Sequence, residues 1–257
     1  MHRDRPRAAL VVASIALLTG ACTSVRDTGR GPGATASVPS IRETPGGYSV
    51  EIDPQGFVER IDNPYLPLLP GSRWRLKGRT ADGREVDTIT VLGRTRQVMG
   101  VTTTVVRDVV RLEGSLAEKT WDWFAQDLRG NVWYFGEDTA EYRGGEVVSR
   151  AGAWEAGVNG ALPGIVMPAD PAVNDASRQE FARGEAEDMG WVVQTGVRAT
   201  VPFGSFDGVI RILEWSPLEP RIVAEKLYAP GVGFLAEEAL SGGLERFELV
   251  GFTPGRG

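Results

Sequence analysis

The chain is 257 residues long, carries a formal net charge of −6, and contains one cysteine, Cys22, and one histidine, His2. A single cysteine excludes an internal disulfide, so stability must come from a buried core. The acidic balance and the lack of a basic cluster point away from nucleic acid as a partner.

The N-terminus, "MHRDRPR" followed by the uncharged run "AALVVASIALLTG" of 13 residues, has the layout of a signal peptide. A bilayer-spanning helix needs about 20 apolar residues, so this run is too short to cross comfortably. The segment "LLTGAC" ending at Cys22 resembles the lipobox of bacterial lipoprotein signal peptides. That resemblance implies removal of residues 1–21 and a lipid on the Cys22 sulfur, hence a bacterial membrane anchor on the extracytoplasmic face. Buried acyl chains contribute about 0.8 kcal/mol per methylene, enough in pairs to hold a domain on a bilayer. Cleavage would move the net charge to −8 and remove His2. With no histidine and no free thiol left, a Ser-His-Asp triad, a Cys-His pair and His- or Cys-ligated metals are excluded, and the sequence calls for no cofactor.

Residues 22–47 are dominated by Gly, Pro, Ser, Thr, Ala and charged side chains, and read as a disordered tether. The folded domain is expected over 48–257. "DPQGFVERIDNPYLPLLPG" has room for one short helix around Phe57, Val58 and Ile61, ending by Asn63. Pro64, Pro67 and Pro70 then enforce extended backbone.

From Arg73 the pattern alternates: Trp74 and Leu76 on one face, Arg73, Arg75, Lys77 and Arg79 on the other. Turn signals recur at Asp82-Gly83, Met99-Gly100, Glu113-Gly114, Gly130-Asn131 and Gly144-Gly145, and strand-like segments resume after residue 190. About ten strands follow, with no helical pattern between them, which gives a mainly β domain built on a single curved antiparallel sheet, a half-barrel or barrel-like meander. The insertion 151–190 lacks a sustained period yet carries Trp154, Leu162, Ile165, Val166, Met167 and Phe181. It is expected to be a long covering loop or lid.

"DNPYLPLLPG", "DWFAQDLRGNVWYFGED", "EWSPLEP" and "YAPGVGFLAEE" resemble a set of uncharacterised bacterial secreted and lipoprotein β domains, over nearly all of residues 48–250. "YAPGVGFLAEE" is also similar to the closing strands of extracytoplasmic carriers of the LolA/LppX type. That second likeness implies a curved half-barrel around an apolar cavity.

Six residues are candidates to line such a cavity. Trp121, Trp123, Trp133 and Tyr134 lie on two adjacent strands, and Trp154 opens the insertion. Trp121 and Trp123 share a face with Ala125; ordinary cross-strand packing is the competing explanation. Asp108 shares its face with Thr104, Val106, Val110 and Leu112, while Arg107 points the other way; a buried carboxylate there is either a local backbone partner or a polar anchor for a ligand. Glu214 raises the same question beside Ile210 and Ile212. Among the carboxylates of the long loop, which include Asp170, Asp175, Glu180 and Glu187, the pair Glu185 and Asp188 is a weak calcium candidate, against a plain solvated acidic loop.

These readings converge on a membrane-anchored, non-enzymatic lipoprotein that binds a hydrophobic or amphipathic small molecule on the concave face of its sheet. One alternative is a structural or interaction module of the cell envelope, which would fill that face with its own side chains. Another is a carboxylate-dependent hydrolase.

Overall fold

The structure, a computed structural model, describes residues 40–44 and 47–256. The signal peptide, Cys22 and most of the tether lie outside the described residues. A first hairpin pairs β1 (Ser40–Thr44) with β2 (Gly47–Glu51), so described strand structure starts at Ser40, within the segment read as tether, rather than at Tyr48.

The expected helix around Phe57 is absent. Asp53 caps a single 3₁₀ turn over Pro54–Gly56 by accepting from the Gln55 backbone N–H at 3.0 Å, and the chain then extends into β3 (Phe57–Val58). Phe57 and Val58 pair with Asp127 and Gln126, and the Phe57 ring packs edge-on against Trp133 and Phe135. Those tertiary partners outweigh a propensity that a four-residue spacing could express only weakly.

The wall of the fold is an antiparallel meander. β4 (Arg73–Thr80), β5 (Gly83–Val98), β6 (Val101–Leu112), β7 (Ser115–Asp127) and β8 (Val132–Arg143) form one half. The connections Met99-Gly100 and Glu113-Gly114 have positive φ at both positions, the two-residue turn that matches the twist of the strands it joins. Four short strands follow: β9 (Glu146–Ser149), β10 (Trp154–Glu155) and β11 (Leu162–Met167), all paired with β8, then β12 (Ala176–Arg178). After β13 (Glu180–Phe181) come the long strands β14 (Met189–Val201), β15 (Gly204–Trp215), β16 (Val223–Ala229), β17 (Gly233–Ser241) and β18 (Arg246–Thr253). β18 returns to pair with β4.

The sheet is nearly closed into a barrel, and the 151–190 segment supplies short strands to the closing. Residues 176–181 straddle the seam. Their first half pairs with β14 on one side, and their second half pairs with β11 on the other. The Ser177 hydroxyl donates to the Ile165 carbonyl across the gap at 2.9 Å. Short strands are what a seam needs, because closure removes exposed edges without adding another full stave.

Alternation divides the wall into two faces. Trp74, Leu76, Ile89, Val91, Val106, Ile210, Ile212 and Leu249 point inward and form the main core. A second apolar cluster lies on the opposite face of β6–β8, where Val105, Trp123, Trp133 and Phe135 are covered by Phe57, Ile52 and residues near 156–161. One mouth of the barrel is closed by the proline-rich segment 59–72. Asn63 anchors it to the carbonyls of Gly130 and Pro168 at 2.9 Å each, the Tyr65 hydroxyl reaches the Gly208 carbonyl, and Gly231 N–H donates to the Pro64 carbonyl.

Candidate functional site

Beyond this apolar half, the lumen is acidic. Glu85 and Asp87 near the start of β5, Asp108 on β6, Glu118 and Asp122 on β7 and Glu137 on β8 are all buried. Register places them on one inward face, since Asp108 sits opposite Thr120, Val106 opposite Asp122, and Asp122 opposite Glu137. Glu180, Asp188, Glu214 and Glu237 face them from the other side of the barrel, with Lys226 as the one buried cation among the described residues.

Desolvation disfavours the charged form of most of these acids, and at Asp87, Glu118, Asp122, Glu137 and Asp188 the charges of neighbouring carboxylates add to it. Burial, then Asp108, lifts Glu118 to about 9, and the same two causes lift Asp122 to about 8 although the Tyr134 hydroxyl donates to Asp122 at 2.8 Å. Burial lifts Glu180 to about 7 against the stabilising bonds from Asp188 and from the Trp154 indole N–H at 2.8 Å. Asp87, Glu137 and Asp188 are raised well above the carboxylate range for the same first reason. The acids therefore solve their burial partly by staying protonated and sharing protons, as Asp87 does with Asp108 and Asp188 with Glu180.

The six ligand candidates do not line one cavity. Trp121, Trp123 and Trp133 sit on the outer face, Trp123 under the Arg96 guanidinium at 4.2 Å and Trp133 donating to Asp127 at 2.9 Å. Tyr134 faces inward, stacked on Phe124 with ring centroids 4.8 Å apart, and Trp154 is edge-on to it. Asp108 is inside the barrel, opposite in direction to Arg107, as the alternation requires, and Glu214 is inside too. The calcium candidates are parted: Glu185 is exposed in a turn, whereas Asp188 is 1 % exposed inside the barrel. Among the described residues no group of three or more His, Cys, Asp or Glu has the geometry to hold a metal ion.

Sequence reasoning missed Asp87, Glu118, Asp122, Glu137, Glu237 and Lys226. Phase was the available signal: in "EVDTITV" Glu85 and Asp87 share the parity of Ile89 and Val91, which are core residues.

An open concavity lies on the outside of the barrel. Arg73, Thr88, Arg107, Val109, Arg111, Leu116 and Lys119 line a groove of about 340 Å³ across β4–β7. Register explains the gathering, because Arg73, Thr90, Arg107 and Trp121 are successive cross-strand neighbours on one row. Lys119, two residues from Trp121 on the same face, holds its ammonium 4.3 Å from the indole ring.

No family model matches the chain, and no curated protein is similar to it at a significant level. Two solved structures share part of its chain path. One is a "putative exported protein with YmcC-like fold" from Bacteroides fragilis, 14% identical, with a TM-score of 0.43 over 74% of this chain and 99% of that one. The other is a "putative lipoprotein" from Parabacteroides distasonis, 14% identical, with a TM-score of 0.34 over 74% of this chain and 98% of that one.

Proposed function

We propose that the chain is a lipid-anchored, non-enzymatic lipoprotein of the bacterial cell envelope whose barrel serves as an interaction module, presenting its outer wall to a partner. The observation that carries this reading is the filling of the lumen. Its apolar half is packed by the core, and its other half is occupied by carboxylates whose burial is balanced by one another and by Lys226. An apolar small molecule finds no matching wall there, because desolvating those acids against a hydrocarbon surface is unfavourable. Burial also weighs against a hydrolase: Glu180 and Asp188 are 4 % and 1 % exposed, away from solvent. The N-terminal signal and Cys22 supply the envelope address.

The test is native mass spectrometry of the Cys22→Ser chain purified without detergent. The expected result is the mass of the polypeptide alone. A stoichiometric apolar molecule that co-purifies would overturn the module reading in favour of a carrier.

A further inference from the structure

We propose that the groove on the outer face of β4–β7 binds the phosphate head groups of an anionic bilayer and so lays this side of the barrel against the membrane. This deepens the reading of the outer wall as the working surface by naming what it meets. Arg73, Arg107, Arg111 and Lys119 converge on the groove, and no carboxylate lines it. Among the described residues none of these four forms an ion pair, whereas Arg84, Arg96, Arg150, Arg211 and Arg246 each do.

Arg107 is only partly exposed, and its Nε is buried without a hydrogen-bond acceptor. Arg111 donates to the Gly114 carbonyl at a long 3.3 Å, and Lys119 rests on the Trp121 ring. Four cations held together without counter-charge repel one another, and a guanidinium fork is matched by a phosphate. The chain as a whole is acidic, so net charge gives it no attraction to an anionic surface. Within the folded domain such an attraction needs a locally basic face, and this groove is one.

The shape favours a head group over a free anion. The groove is open to solvent, and Val109 and Leu116 add apolar surface to its lining. Trp121 borders it, half-buried, as an amphipathic ring suited to the interfacial depth of a bilayer.

The experiment is vesicle sedimentation with the full chain carrying Cys22→Ser, so that no acyl anchor contributes. Vesicles of phosphatidylcholine containing about 30% phosphatidylglycerol are compared with pure phosphatidylcholine. Any affinity of the N-terminus, including that of Arg3, Arg5 and Arg7 for anionic lipid, is common to the groove and control variants and cancels in their comparison. Arg107→Gln with Arg111→Gln should weaken the anionic preference by roughly thirtyfold, the change expected for two surface cations. Arg198→Gln with Arg246→Gln removes the same charge elsewhere and should change it by less than about threefold. Should the first pair fail to fold, Arg73→Gln with Lys119→Gln tests the same groove on other strands. Equal losses in groove and control variants, or no preference for anionic vesicles, would overturn the proposal. Displacement of the chain from vesicles by about 10 mM inorganic phosphate, at constant ionic strength, would overturn the membrane assignment and name a soluble anion instead. None of these outcomes bears on whether the lumen carries a small molecule, which native mass spectrometry reads separately.

Discussion

Lys226 Nζ lies 2.5 Å from Glu214 Oε2 inside the barrel, with both side chains 4 % exposed or less. Glu237 stands 3.8 Å from the same ammonium, and Gln179 donates to the other Glu214 oxygen at 2.8 Å. Burial opposes the charge on Lys226, but Glu214 and Glu237 together outweigh it and hold its pKa above the ordinary lysine value. One cation thus serves two strands, β15 and β17, from its place on β16 between them.

Removing that cation strands the acids. Lys226→Met should destabilise the domain by about 3–5 kcal/mol near pH 8, the usual result of breaking one side of a buried pair. The loss should shrink near pH 5, because Glu237, whose pKa burial already raises, can then take up a proton instead of remaining charged and unpaired. Urea midpoints at the two pH values check this; an equal loss at both would mean that Lys226 acts through packing alone.

The lumen as a whole should make the protein less stable in alkali. For a carboxylate whose folded pKa is raised, the folded state binds more protons than the unfolded one between the two pKa values, so stability falls as pH rises through that window. The unfolded carboxylates titrate near 4, and Glu180, Asp122 and Glu118 titrate at about 7, 8 and 9 when folded. Their contribution is complete below about pH 4 and is lost progressively up to about pH 9. The Tm should therefore fall by about 5 °C or more between about pH 5 and about pH 9. A flat or rising Tm over that range would show that these acids are ionised in the folded state.

Asp122→Asn isolates one contributor. Asparagine keeps an oxygen to accept from the Tyr134 hydroxyl, which now stands 2.8 Å from Asp122, and removes a charge beside Asp108 and Glu137. The variant should match the native chain within about 1 kcal/mol near pH 5 and exceed it near pH 9. Parallel pH profiles for the two chains would assign the slope to other groups.

The ten long staves were legible because each is long enough to show period two between glycine turns, and Asp108 was placed correctly because its neighbours at every second position are apolar. The acidic lumen was harder to see. A carboxylate in a strand ordinarily marks the wet face, and only its parity relative to Ile89 and Val91 betrays Asp87. That Trp123 and Tyr134 face opposite ways depends on the register shift between Asp122 and Phe124, where Gly136 adopts positive φ on the partner strand. A bulge of that kind leaves no periodic trace. Most of the seam strands are two or three residues long, shorter than the stretch over which alternation can be counted, and Pro163-Gly164 interrupts the pattern of the longer β11, so the segment that closes the barrel read as a loop.

The seam itself is testable at Gly164. Its φ lies outside the left-handed region, so the backbone would accept another residue, but a Cβ there would fall 2.2 Å from the Arg178 carbonyl oxygen and 2.6 Å from the Gln179 carbonyl carbon. Both obstacles are backbone atoms, at the end of β12 and in the residue joining it to β13, so neither can rotate aside. Gly164→Ala must push that segment away from β11 and weaken the pairing of Pro163 with Glu180. Moving Glu180 also disturbs its bond from Trp154 and its contact with Asp188. The expected cost is about 2–4 kcal/mol, with faster hydrogen exchange across residues 176–181 than in the long staves. Gly93→Ala is the matched control, since a Cβ at Gly93 meets nothing within 4 Å and its backbone is likewise unstrained. It should change stability by less than about 1 kcal/mol. If Gly164→Ala were as benign as Gly93→Ala, the two edges of the sheet would not be held together at this crossing, and the barrel would be open there.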